Sequence, residues 1–373
     1  MRYIPTLCLH EGMVLAKPLY GPDGRLLLQQ GQTLKPSYLA SIARNGFQGV
    51  YINDKISEEI EIQSVIDDEL RNSAIRAVRD IYIQSFDTGL SQDMAHKAKT
   101  IVHSIVEEII KNRNIMVNMV DLKSYDNYTY YHSVNVGVLS IVVGVALGMD
   151  TISLYKLGLG ALLHDIGKVF VDKKIIDKSG PLTPEEFAEV KKHPPLGYEY
   201  LRDSGFDLPM SSLISILQHH ERLDGSGYPY GMSCERIHQF SRIIAIADVF
   251  DAMTSDRPYR KAMMPSDVIE FLMGGAGKLF DAKYVSLFIK KVAAFPLGTC
   301  VQLSNGCSAI VVKNYEDCCL RPKVKLLGSE DSNPVYYDLK NEKDLTNVTI
   351  TSVITGTAAS VPASAYAQSK IKV

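Results

Sequence analysis

The sequence has no tryptophan, no CxxC pair and almost no net charge. Its 40 Lys and Arg are balanced by 42 Asp and Glu, leaving a formal charge of −2. A strongly basic nucleic-acid surface is therefore not expected, and no DNA or RNA partner. A small charged ligand in a local pocket remains allowed. The six cysteines, Cys8, Cys234, Cys300, Cys307, Cys318 and Cys319, are scattered. Cys318 and Cys319 are neighbours, which is poor geometry for a simple bridge. All six read as free thiols in a reducing cytoplasm. The N-terminus lacks a basic segment followed by an apolar one, so no secretory signal is expected.

Membrane insertion is not expected either. The stretch VNVGVLSIVVGVALGM, Val134–Met149, has about 16 residues, below the ~20 needed to cross a bilayer. It closely follows His132, and a buried core helix is the better reading.

What is present is an ordinary globular composition, 46% apolar and 22% charged over 373 residues. The length suggests roughly two to three domains. Residues 1–55 alternate short apolar runs with turns, GPDG at Gly21–Gly24 and QQGQ at Gln29–Gln32, and suggest hairpins. Ser37–Ile52 reads as a short helix ending near Gly46, then a strand. Together these make a small α/β module. Residues 56–112 mix charged and apolar residues at helical spacing. They serve as an amphipathic connector, as a dimerising surface, or as helices packed on the next domain; the pattern leaves these open. Residues 113–295 are dense in helical pattern and form an all-α core. Residues 296–354 are strand-like, with a hairpin signal at Asn305–Gly306 and a further strand around Val324. Residues 355–373 are rich in Ala, Ser and Thr and read as a flexible tail. The expected architecture is mainly α, with a small α/β module before the helical core and a short β extension after it.

The chemistry sits in the helical core. Of nine histidines, His132, His164, His193, His219 and His220 fall between positions 132 and 220, in HSVNVG, ALLHDIGKV, KKHPPLG and HHERLDGSGYP. Asp165 follows His164, and Asp248 lies in IIAIADVFDAM. His10, His96, His103 and His238 read as ordinary hydrogen-bonded residues. An aspartate in an apolar helix is different. Burying Asp165 and Asp248 unpaired costs roughly several kcal/mol unless something cationic offsets it. Two such aspartates with five such histidines point to a bound metal cluster. Imidazole and carboxylate without thiolate suit iron, manganese, zinc or nickel. Seven ligands exceed one tetrahedral ion and fit two octahedral ions bridged by a carboxylate. A hydroxide shared by two cations is a nucleophile at neutral pH, and the same cations can hold a phosphate oxygen.

HDIGK, KKHP, HHERLDGSGYP and IADVFDAMTSDRPYR, in this order, resemble the HD-GYP family, bacterial cyclic di-GMP phosphodiesterases of the HD superfamily. The match covers about Ile115–Val301. The resemblance implies an HD-type helical bundle and assigns roles. His132, His164, Asp165 and Asp248 hold one metal; Asp165 bridges to a second, held by His193, His219 and His220. Iron is the family's expectation and manganese its rival. Lys168 reaches a phosphate oxygen or supplies a proton to the leaving sugar oxygen. Tyr228 presents an aromatic face or hydroxyl to the ligand, or is a packed loop aromatic. Gly225 and Gly227 allow tight turns, and Pro229 fixes a dihedral. Arg257 and Arg260 suit phosphate or a guanine edge. Lys261, next to Arg260, is a weaker candidate for the same task.

The resemblance carries further expectations. Asp251, three residues after Asp248, orients a ligand histidine or Lys168. Some members carry a glutamate four residues before the first histidine and hold a third metal. Tyr128 stands there, so two divalent metals are expected. Asp126 is near enough to assist but is not expected as a ligand. The implied activity is hydrolysis of cyclic di-GMP to linear pGpG, and on to GMP. Hydrolysis of cyclic GMP-AMP is a close variant. The alternative class is a cyclic dinucleotide sensor, or a module docking GGDEF-domain proteins through the Gly-Tyr-Pro loop, with little turnover. A homodimer and a cytoplasmic location complete the expectations.

Overall fold

The structure is a computed structural model that describes all residues except 22–24, 48, 88, 119–127, 256–261, 329–332 and 355–373. The chain divides into two compact units. One comprises Met1–Ser64, Asn118–Asp126 and Val292–Val373; the other comprises Val65–Val117 and Asn127–Lys291.

The smaller unit is built from both ends of the chain. Its elements are β1 (Arg2–Pro5), β2 (Val14–Leu15), β3 (Leu19–Tyr20), β4 (Leu26–Leu28), α1 (Pro36–Arg44) and β5 (Gly49–Asn53), then β6 (Cys300–Leu303), β7 (Ser308–Lys313), β8 (Lys323–Leu326), β9 (Tyr336–Asp338) and β10 (Ile350–Val353). They form sheets of order β1-β5-β2, β3-β4 and β10-β6-β7-β8-β9. Helix α1 starts with a proline in its first turn, and the chain leaves it through Gly46 at φ 72°. Asn305–Gly306 makes the turn between β6 and β7, with Gly306 at φ 85°. Strands β3 and β4 pair antiparallel on either side of the GPDG turn, whose residues 22–24 lie outside the described residues. The Gln29–Gln32 turn does not close a hairpin. The chain after it returns to β2, where Leu34 N donates to Met13 O at 2.7 Å.

Two small cores span the ends of the chain. Ile4, Leu15, Leu34, Ile42, Val50 and Ile52 pack with Cys300. Ala16, Tyr51, Ile60 and Ile62 pack with Ile310. Tyr3 N donates to Gly298 O at 3.2 Å, and buried Arg2 pairs with Asp54 at 2.6 Å. Residues 1–55 and 296–354 therefore pack as one body, where the sequence reading separates them. The expected flexible tail, 355–373, lies outside the described residues.

The larger unit holds α2 (Asp68–Asp87), α3 (Gln92–Lys111), α4 (Tyr128–Ala146), α5 (Thr151–Leu162), α6 (Lys173–Ile176), α7 (Pro184–Val190), α8 (His193–Asp203), α9 (Met210–Gln218), α10 (Gln239–Thr254), α11 (Pro265–Gly275) and α12 (Ala282–Lys291). Side chains that accept backbone N–H groups start several of them: Ser91 for α3, Asp150 for α5, and a Thr183–Glu186 capping box for α7. Helix α4 is apolar on nearly every side because α2, α3, α5, α10 and α12 all pack on it. Its stretch Thr129–Ala146 is long and apolar enough to cross a membrane, yet 78% of it is buried inside the protein. Residues of α2 and α3 fall within this unit, and Tyr82 of α2 bonds Ser133 of α4 at 3.2 Å. Within the segment 56–112, α2 and α3 are helices packed in this unit, while Ile60 and Ile62 belong to a core of the smaller one.

Candidate metal centre

Three helix ends converge on the site. His164 follows α5, His219 caps α9, and His193 lies three residues beyond the end of α7. The last carbonyls of a helix have no partner within it. Each of these histidines supplies one. Nδ1 of His164 donates to Ala161 O at 2.8 Å, that of His193 to Val190 O at 2.7 Å, and that of His219 to Ile216 O at 2.7 Å. A carbonyl only accepts, so Nδ1 carries the proton and Nε2 of the neutral ring is bare. The bare nitrogens face inward, towards Asp165; those of His164 and His219 do so from C-terminal helix ends, whose dipoles favour a cation, while His193 also begins α8.

Asp165 lies at the centre, buried. Its Oδ1 is 3.3 Å from His193 Nε2 and 3.9 Å from His219 Nε2. Its Oδ2 is 3.4 Å from His164 Nε2 and 3.7 Å from His132 Nε2. Asp248 completes the wall, 3.1 Å from His132 Nε2 and 3.6 Å from His220 Nδ1. Ligand atoms of Asp165, His193, His219 and His220 lie within 4.8 Å of one another, as do those of His132, His164 and Asp165. These are two overlapping groups that share one carboxylate.

The donor set fits two cations. His193 Nε2 and His219 Nε2 are 3.2 Å apart, two lone pairs facing each other. Burial, and for His219 the neighbouring histidines, hold both rings below the usual imidazole range, so a proton does not readily bridge them. His164 Nε2 and Asp165 Oδ1 are buried with no hydrogen-bond partner among the described residues. Each such atom costs about 1–3 kcal/mol if left so. Divalent cations would satisfy all of these atoms at once, and a set of oxygen and imidazole donors without thiolate suits iron, manganese, zinc or nickel alike.

His132 differs from the other rings. Burial alone lowers its pKa, but Asp248 and Asp251 more than offset that and push it up to about 9. Its Nδ1 donates to Asp251 Oδ2 at 2.7 Å, and Asp251 Oδ1 accepts from Asn135 at 2.8 Å. Asp251 thus orients His132, one of the two roles the sequence left open for it. Removing both bonds in Asp251→Ala should lower metal affinity by about 10–100-fold. Metal titration of the variant checks this, and wild-type affinity would exclude the orienting role.

The charges also set a pH profile for the metal-stripped protein. His193, His219 and His220 have folded pKa values below 6.5, so the unfolded chain binds more protons there. Their contribution is present above 6.5 and is lost as pH falls. His132 runs the other way: its contribution is full below 6.5 and is lost as pH rises through about 9. These groups therefore place maximum stability near pH 6.5. Thermal unfolding from pH 5 to 9 reads this, and a midpoint rising steadily to pH 9 would contradict it.

Lys168 Nζ sits 2.5 Å from Asp165 Oδ2, and its side chain remains partly open to solvent. Burial raises the Asp165 pKa, while Lys168 and His164 lower it, with a net position well below the carboxylate range.

The loop after His220 is held by a residue to which the sequence reading gave no role. Buried Glu221 accepts from Tyr230 N and Met232 N, both at 2.8 Å. A glutamate between a histidine pair and a glycine turn looks solvated in sequence, and only its burial shows the anchor. Gly225 adopts φ 79°. A Cβ on Gly227 would lie 2.5 Å from Glu221 Cα and His220 O, so the loop closes directly on the histidine pair. Tyr228 stacks on His220, ring centroids 4.5 Å apart. Arg257, Arg260, Lys261 and Asp126 lie outside the described residues.

Residues 105–284 match the HD domain, and residues 300–359 match a KOW domain associated with the HD domain. A cyclic di-GMP phosphodiesterase of Pseudomonas aeruginosa is 36% identical over 274 residues, 72% of this chain and 65% of that protein. The chain belongs to the HD-GYP family. A cyclic di-GMP phosphodiesterase of Thermotoga maritima is 32% identical, covering 59% of each chain. A 3′3′-cGAMP-specific phosphodiesterase of Vibrio cholerae is 39% identical over 172 residues, 45% of this chain and 38% of that one. The chain spans less than two thirds of the length of each of these relatives.

Proposed function

We propose that this chain is a metal-dependent phosphodiesterase that hydrolyses cyclic di-GMP to linear pGpG, and on to GMP. The observation that carries this is Asp165, whose two oxygens face two separate groups of histidine nitrogens. In this reading His132, His164, Asp165 and Asp248 hold one cation. Asp165, His193, His219 and His220 hold the second. Iron is favoured, with manganese as the rival. Two bound cations supply a nucleophilic hydroxide and neutralise charge on the phosphate.

The chain's own groups do the rest. Lys168, held at Asp165, contacts a phosphate oxygen or delivers a proton to the leaving sugar oxygen. Tyr228 borders the substrate while its ring steadies His220. Arg257 and Arg260 bind phosphate or a guanine edge; for these two the support is the family motif alone. A cytoplasmic location and docking of GGDEF-domain proteins through the Gly-Tyr-Pro loop belong to the same reading.

Relatives named for cyclic di-GMP and for 3′3′-cGAMP both match this chain, so the test uses both substrates. The protein is purified without oxygen, loaded with ferrous iron or manganese, and its products are followed by chromatography. Faster turnover of cyclic di-GMP is the expected result. Preference for 3′3′-cGAMP would reassign the substrate. Bound metal with no product from either would leave a binding module.

A further inference from the structure

A second group of side chains stands beside the Gly-Tyr-Pro loop. Phe187 lies on α7, and Lys191 caps the C-terminal end of that helix. Phe187 is 44% exposed, so part of its ring is open to solvent. Its ring centroid is 6.3 Å from that of Tyr228, nearly perpendicular. Lys191 Nζ is 4.6 Å from the Phe187 centroid and 5.7 Å from the Tyr228 centroid. Tyr228 in turn stacks on His220 and lies 6.4 Å from the His193 ring.

The neighbouring lysines are paired: Lys192 with Glu189 at 2.6 Å and Lys178 with Glu186 at 2.6 Å. Lys191 has no carboxylate partner among the described residues. Its exposed ammonium is held over two rings instead, an arrangement that fixes the charge without neutralising it. A cyclic dinucleotide carries two phosphates, and only one can occupy the metal centre at a time. The second needs a cation on the same side of the site.

We propose that Lys191 binds the phosphate not being cleaved, with Phe187 as the aromatic platform that positions the lysine. This rests on the phosphodiesterase reading and adds a subsite to it. Neither residue touches the reacting atoms, so both act on substrate positioning.

The test uses the metal-loaded full chain and two substrates, cyclic di-GMP and bis(p-nitrophenyl) phosphate, which has a single phosphate. Lys191→Met should raise KM for cyclic di-GMP about tenfold with little change in kcat. It should leave bis(p-nitrophenyl) phosphate hydrolysis unchanged, and Lys191→Arg should restore most of the loss. An unmoved KM, or an equal loss on both substrates, overturns the subsite. Wild-type protein that hydrolyses bis(p-nitrophenyl) phosphate but neither binds nor cleaves cyclic di-GMP overturns the substrate assignment and the subsite with it.

Discussion

Asp165→Asn is expected to lower the proposed hydrolysis of cyclic di-GMP by on the order of 10³-fold or more, since cation chemistry contributes several kcal/mol and each ~1.4 kcal/mol is tenfold. The substitution keeps the side-chain volume, so packing around a buried position is preserved. It replaces a carboxylate that faces both histidine groups with a neutral group having one acceptor oxygen. One oxygen cannot face His193 and His219 on one side and His164 and His132 on the other. The variant should also lose most of the rise in melting temperature that metal gives the wild type, because that rise follows ligand affinity. Two equivalents of tightly bound metal together with wild-type turnover would remove Asp165 from the centre of the site.

Gly167→Ala is expected to cost about 3 kcal/mol, through overpacking of backbone against backbone. A Cβ there would overlap the His193 carbonyl oxygen and lie 2.6 Å from Gly197 N. Neither neighbour is the end of a flexible side chain. Either the unit loses that stability, a fall of roughly 6–12 °C in melting temperature, or α8 moves away and takes His193 with it. The second outcome reduces metal binding at the group that contains His193. Gly274→Ala is the control, since nothing lies within 4 Å of the Cβ position there. That variant should melt at or above the wild-type temperature. Equal melting of Gly167→Ala and wild type, with normal metal content, would mean that the two backbones have room to part.

Much of the centre is legible in the sequence for an energetic reason. Asp165 and Asp248 sit in apolar surroundings where a carboxylate is costly, and the five histidines supply the matching donors. What the sequence does not display is how each ring is oriented. The Nδ1 bonds to Ala161, Val190 and Ile216 depend on where α5, α7 and α9 stop, and a shift of one residue would turn the nitrogen elsewhere. Glu221 and Asn135 escape notice because polar residues near a loop or on a helix carry no burial signal of their own. The division into units is harder still. Composition changes near residues 55 and 296, but which strands share a core depends on long-range pairing such as Ile4 and Leu15 with Cys300.

That shared core imposes an order on synthesis. The segment before Ser64 cannot complete its packing until β6 and β7 exist, because Cys300 and Ile310 belong to its cores. At about 5–20 residues per second, the intervening stretch takes roughly 12–50 s to translate. Through that interval the first strands have open edges and exposed apolar faces, the condition that invites mispairing. The helical unit, whose last helix ends at Lys291, is complete before them. The segment before Ser64 therefore completes its packing only after the helical unit that follows it, although it is translated earlier.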